Sequence, residues 1–167
     1  DVIDDPLRAG GLGSRPFDGE GVAGRAKTLI ADGVVRSWML DLSSAAQLGL
    51  QSNGCAGRGP GSSPSPSPSN AYMSAGHASA EQLRAEMGSG VLVTEWMGRG
   101  VNPVTGDVSS GASGFWIENG EIAHPISEFT IAGQVFDMLG SLVAADDLRF
   151  DRRIAAPSLR VEGLTVA

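Results

Sequence analysis

Cysteine occurs once in this chain, at Cys55, so no internal disulfide can form. A lone thiol fits a reducing compartment better than an oxidising one. Histidine occurs twice, at His77 and His124, and neither stands in an H-E-x-x-H pattern. A catalytic zinc takes three protein ligands, and a set of His77, His124 and Cys55 has no spacing to support it. Aromatic residues make up only 5% of the chain, which speaks against a large helical bundle. No apolar run approaches the roughly 20 residues of a membrane span, and no basic start leads into an apolar segment, so neither a membrane anchor nor a secretory signal is expected. A basic excess is also lacking. Twelve Lys and Arg stand against 19 Asp and Glu, a net charge of -7, and such a domain repels phosphate backbones. Neither G-x-x-x-x-G-K-[ST] nor G-x-S-x-G occurs, which removes a phosphate-cradling loop and a nucleophile elbow.

What is present is glycine, 24 of 167 residues, in a chain that is 41% hydrophobic. That length suits one domain, 1–167, with a real core, and the glycines point to tight turns and close backbone approaches. The chain starts at Asp1 and reads as a piece of a longer protein.

Residues 1–27 read as loop. Residues 28–41 read as a hairpin turning at Asp32-Gly33, a type I′ pair that sets Ala31 opposite Val34 and Ile30 opposite Val35. Residues 42–50 read as a short helix with Ser44 and Gln47 at capping-box spacing. Residues 54–70, GCAGRGPGSSPSPSPSN, read as a low-complexity tract, and 56–70 as an exposed, mobile Pro/Ser/Gly loop. Ser79 caps a second helix, with Gln82 three residues on and Gly88 as its stop. Residues 91–96 form a strand. Residues 113–118 and 121–126 form a second hairpin around Asn119-Gly120, pairing Ile117 with Ile122 and Phe115 with His124 on one face, with 129–132 extending the sheet. Residues 134–144 read as a third helix whose apolar face carries Val135, Leu139 and Leu142, widened by Phe136 and Val143. Residues 159–166 close the chain as a strand or strand pair. The fold class is mainly β (α+β), an antiparallel sheet domain with two or three short helices.

Few residues suggest chemistry. The G-x-G-x-x-G letters at 19–24 lack the strand and helix that a dinucleotide fingerprint needs and read as loop. Ser109, Ser110 and Ser113 have no oriented base beside them. They read instead, with Gly111 and Gly114, as a strand of small side chains that another backbone can approach. The acid pairs Asp4–Asp5 and Asp146–Asp147 read as solvated, Glu118 and Glu121 as flanking a turn, His124 as half-buried and His77 as surface.

The blocks SRPFDGEGV (14–22), LIADGVV (29–35), GRGVNPVTGDVSSGASGFWIENGEIAHPI (98–126), FTIAGQVFDML (129–139) and APSLRVEGLTV (156–166) resemble the C-terminal domain of the TldD/PmbA family, also called modulator of DNA gyrase, and its PmbA/TldE branch more than its TldD branch. The resemblance implies a cytoplasmic two-domain protein with a barrel-like β-rich C-terminal domain. It implies a metallopeptidase complex in which TldD-like and TldE-like subunits pair and degrade or mature peptides. It places the zinc on a His-Glu-x-x-x-His helix and a late cysteine of the TldD-like subunit, so no metal or other cofactor is expected in this domain and no catalytic residue is assigned. The helix motif is absent, and residues 146–161 contain no cysteine. The expected partners are a TldD-like subunit or a second copy, and peptides, with no nucleic acid and no membrane. Ser109, Ser110, Gly111, Ser113 and Gly114 are the candidate substrate-binding residues, offering backbone groups to an extended peptide by strand addition. Two other readings stand beside this one: a self-sufficient hydrolase, and a non-catalytic scaffold linked indirectly to gyrase.

Overall fold

Two tight turns organise the chain, each where a two-residue pair tolerates positive φ. Asp32 and Gly33 adopt φ 50° and 74°, and Asn119 and Gly120 adopt 51° and 79°. The computed structural model describes residues 1–98 and 100–167; Arg99, within the glycine-rich run 98–126, lies outside them. In chain order the elements are β1 (Val2–Asp4), β2 (Lys27–Ala31), β3 (Val34–Val35), α1 (Leu42–Leu48), β4 (Ala56–Gly57), β5 (Ser65–Pro66) and β6 (Ala71–Met73). Then come α2 (Ala80–Met87), β7 (Gly90–Met97), β8 (Asp107–Glu118), β9 (Glu121–Gln134), α3 (Val135–Ser141), β10 (Val143–Ala144), β11 (Ile154–Ala155), β12 (Leu159–Arg160) and β13 (Thr165–Val166). The chain is thus mainly β, with three short helices among the described residues.

The chain folds as two compact units, Asp1–Ser74 with Leu148–Pro157, and Ala75–Asp147 with Ser158–Ala167. The first holds a five-stranded sheet in the order β11-β6-β1-β2-β3 and the small β4–β5 hairpin. Its ladders are antiparallel except β11 with β6. The second holds a four-stranded antiparallel sheet, β13-β9-β8-β7, and a β10–β12 pair. Among the described residues no sheet closes on itself, so no barrel is seen. The core of the second unit is Ala112, Phe129 and Ile131, flanked by Val91, Val93, Ile126 and Leu164.

The first hairpin has the expected register, Ile30 opposite Val35 and Ala31 opposite Val34. Ser79 caps α2 in a reciprocal capping box with Gln82, satisfying two end amides that the helix itself cannot bond. Helix α1 is capped differently from expectation. Asp41 accepts the Ser44 N–H at 2.7 Å, so Ser44 is the third helical residue and not the cap, and Gly49 ends the helix at φ 65°.

Other expectations are corrected by long-range contacts. Residues 1–27 contribute β1, paired on both sides by β2 and β6. Asp4, read as solvated, is buried against Lys27. The tract 54–70 is exposed along most of 58–66, but its ends are built in: Cys55, Ala56, Ser69 and Asn70 are buried. In the second hairpin Ile117 faces Ile122 as expected, but a bulge between Trp116 and Ile117 sets His124 opposite Trp116 and Phe115 opposite Pro125. One extra residue reverses which face a side chain takes, and His124 is exposed rather than half-buried. Helix α3 stops at Ser141 because Val143 and Ala144 turn extended and pair with Arg160 and Leu159. Its apolar residues pack less than their period suggested, with Phe136 77% exposed.

Candidate apolar cleft and open sheet edge

Strand β8 is the centre of the second unit's sheet. Residues alternate in burial along it, with Val108, Ser110, Ala112 and Gly114 buried and their neighbours more open. This alternation is the period-two consequence of a pleated strand. The predicted Ser/Gly set therefore divides. Ser110 is 5% exposed and its hydroxyl donates to the Met97 carbonyl at 2.7 Å, tying down the end of β7. Gly114 lies flush against the Leu92 carbonyl, leaving no room for a Cβ. Ser109 is exposed, while Gly111 and Ser113 are half-buried.

The backbone of this set is already in use. Gly111 to Ile117 pair with β7 on one side and with β9 on the other. The Ser109 N–H donates to the Gly100 carbonyl at 2.6 Å. An additional strand cannot join where both edges are paired, so the expected strand addition at 108–115 does not fit this sheet. The outer strands of this sheet are β13 and β7, each with one described neighbour, and β7, at eight residues against two, is the longer open edge.

Beside that edge lies a cleft of about 620 Å³. Val91, Val93 and Trp96 of β7 line it, with Ile131 from β9, Met138 from α3 and Leu164 from the closing segment. The pairs Val93–Gly114, Trp96–Ala112 and Ile131–Ser110 put these residues on one face of the sheet, the register shift near Glu95 restoring that phase for Trp96. Glu86 and Glu162 bring the cleft's carboxylates, and both bond Arg160, at 3.0 and 3.4 Å. Helix α2 is latched to the hairpin tip, where the Gly120 N–H donates to the Gly88 carbonyl at 2.8 Å and Arg84 Nε donates to the Gly120 carbonyl at 3.2 Å. That latch sets Met87 at the cleft wall. Sequence reading found β7 as a strand but missed the cleft. Its wall comes from four separated segments, and no local pattern says which face of VLVTEW they cover.

Asp18, a buried carboxylate outside the sheet ladders, is a structural support in the first unit. Burial disfavours the charged form of Asp18, yet the amides of Ala56, Glu20 and Val22 and the nearby Arg15 outweigh it and hold the carboxyl below its ordinary range. The three amide bonds are each 2.9 Å. They fix the 19–24 glycine loop as a turn.

A β-rich domain with this arrangement is also found in solved structures. A Thermotoga maritima protein described as a candidate modulator of a DNA gyrase superposes with a TM-score of 0.87 at 36% identity, covering 99% of this chain and 38% of that one. TldE from Thermococcus kodakarensis superposes with a TM-score of 0.87 at 26% identity, covering 99% and 39%. Residues 1–167 match the model of the PmbA/TldA metallopeptidase C-terminal domain, and the chain belongs to that family. Metalloprotease PmbA of Escherichia coli O157:H7 is 42% identical over 158 residues, 94% of this chain and 33% of that protein. The Metalloprotease TldD homolog of Buchnera aphidicola subsp. Acyrthosiphon pisum is 28% identical over 182 residues, 99% and 38%. The chain thus spans 33% of the PmbA relative's length.

Those names imply a metal. Among the described residues no three of His, Cys, Asp and Glu come together as a ligand set. Cys55 is 0% exposed, whereas His77 and His124 are exposed. No helix of the described residues is long and apolar enough to cross a membrane.

Proposed function

We propose that this chain is a PmbA/TldE-like subunit domain of a TldD/TldE-type metallopeptidase complex, in which it presents peptides while a TldD-type partner holds the zinc. Both compact units form one C-terminal domain of a longer, two-domain cytoplasmic protein. The observation that carries the reading is the β7 edge beside the apolar cleft. An edge strand offers main-chain donors and acceptors to an extended peptide whatever its sequence, and an apolar wall accepts alternate side chains. Such recognition suits unfolded peptides. The exposed Ser109 and half-buried Ser113 stay candidate contacts through their hydroxyls, and half-buried Gly111 through its surface. The buried Ser110 and Gly114 support the sheet from within. The higher identity to PmbA than to TldD supports the branch.

The test uses the full-length protein that carries this chain, alone and mixed with a TldD-type protein, with zinc measured in each sample. Unfolded casein is expected to be cleaved only in the mixture. Stoichiometric zinc together with cleavage by the protein alone would overturn the reading in favour of a self-sufficient hydrolase.

A further inference from the structure

The first unit carries a second cavity with a different character. It measures about 310 Å³ and is lined by Arg25, Lys27, Arg36, Trp38, Leu40 and Leu50, among others, with no acidic residue in its wall. In a chain of net charge -7, such a collection of cations is out of keeping with its surroundings. Lys27 is neutralised by Asp4 at 3.4 Å. Arg25 and Arg36 are exposed, and among the described residues neither has an ion-pair partner.

Trp38, 64% exposed, lines the same pocket as the two arginines. Its backbone is not free to relax. The Asn53 amide donates to the Trp38 carbonyl at 2.7 Å, and Asn53 Oδ1 accepts the Leu40 N–H at 3.0 Å. Ser52 Oγ donates to the Leu40 carbonyl at 3.3 Å. On the other side the Ser37 N–H donates to the Leu29 carbonyl at 3.3 Å, so the segment is held before and after an indole that stays mostly exposed. Leu50, more than half exposed, adds apolar surface to the same wall. Trp and Arg set in such a rigid, partly apolar depression are the residue types that dominate binding energy at protein interfaces.

We propose that this pocket is a docking site for a partner polypeptide that presents carboxylates beside an aromatic or branched apolar side chain. Charge complementarity selects the acidic partner: two uncompensated guanidiniums bind carboxylates by paired N–H donors. The indole face takes the apolar side chain, and the Asn53 clamp lowers the ordering cost of binding. Docking here needs no peptidase activity. Trp38 and both arginines belong to the other compact unit from the cleft, so its failure would leave the peptidase reading intact.

The probe is a short fluorescein-labelled peptide of alternating glutamate and phenylalanine, compared with its glutamine–phenylalanine analogue. Binding to the full-length protein is followed by fluorescence anisotropy. The glutamate peptide is expected to bind about tenfold more tightly than the glutamine one, and Trp38→Ala and the pair Arg25→Ala with Arg36→Ala are each expected to weaken it about tenfold or more. Raising the ionic strength weakens binding to the native protein and not to the arginine pair variant. These side chains are exposed, so circular dichroism and melting temperature should be unchanged in the variants. Equal binding of the two peptides, no binding, or no effect of Trp38→Ala overturns the proposal. So does self-association that Trp38→Ala abolishes, which would make the occupant a second copy.

Discussion

Asp4 accepts both the N–H and the hydroxyl of Ser69, at 2.7 and 2.8 Å, across 65 residues of chain. The Pro/Ser-rich tract therefore ends on a buried carboxylate of the first strand, and Lys27 takes the other oxygen. Removing one partner of a buried ion pair strands the other charge. Asp4→Ala is expected to cost about 3–5 kcal/mol, and Ser69→Ala about 1–2 kcal/mol, in urea unfolding. Equal losses in the two variants would show that Lys27 is not stranded.

Asp18 sets an acid limit on the same unit. Its carboxyl sits below the ordinary value of 3.8 in the folded chain. The folded form therefore gains stability above the unfolded pKa and loses it as the pH falls through the lower, folded pKa. Denaturant midpoints are expected to fall below about pH 4. Asp18→Asn should be less stable at neutral pH, by about 1–3 kcal/mol, and should show a shallower acid limb. An unchanged acid limb in that variant would assign the loss to other carboxylates.

At the hairpin tip, Gly120 combines φ 79° with a close approach, since a Cβ there would lie 2.7 Å from the Ala85 Cα. Gly120→Ala is expected to destabilise by about 1–3 kcal/mol. Gly140→Ala, at an open helical position with nothing within 4 Å, is expected to be neutral or slightly stabilising. Thermal melts of the two variants side by side decide it.

The cleft makes a prediction about peptides. If β7 supplies main-chain bonds, N-methylation of alternate peptide amides should lower affinity about tenfold or more in one phase of methylation and little in the other, because only every second amide faces the edge. Trp96→Ala should weaken both phases by removing the apolar wall. Calorimetry on the full-length protein gives the values. Equal loss in both phases would argue against strand addition at β7.

How far the fold was legible depends on the range of the interactions. Asp32-Gly33, Asn119-Gly120 and the Ser79–Gln82 box are written within four residues, and each was read correctly. The Asp41 cap was missed because Ser44 lies at an equally plausible spacing one turn later. The short strands β1, β6 and β11 have no period of their own. They exist because distant segments supply their hydrogen bonds, as when Ile154 pairs with Ala71. Helix α3 is shorter than its apolar spacing suggests, because Val143 continues that spacing while the β10–β12 pairing claims it. The bulge at Trp116 moved His124 to another partner, and nothing local announces such an insertion. Of the candidate site, the small residues of β8 were found, but their role changed. They are the packed middle of the sheet, and the long open edge is the strand before them.

The parallel β11–β6 pairing has a consequence for how the chain is made. The polypeptide leaves the first unit after Ser74, builds most of the second, returns for Leu148–Pro157, and only then supplies the final strand of the other. Neither unit can be finished by a ribosome in a single pass. Both wait with an open sheet margin until residues 148–167 emerge, a period in which transient strand edges invite wrong pairings. The two units are therefore expected to mature together, and cutting between residues 74 and 75 would yield two incomplete halves.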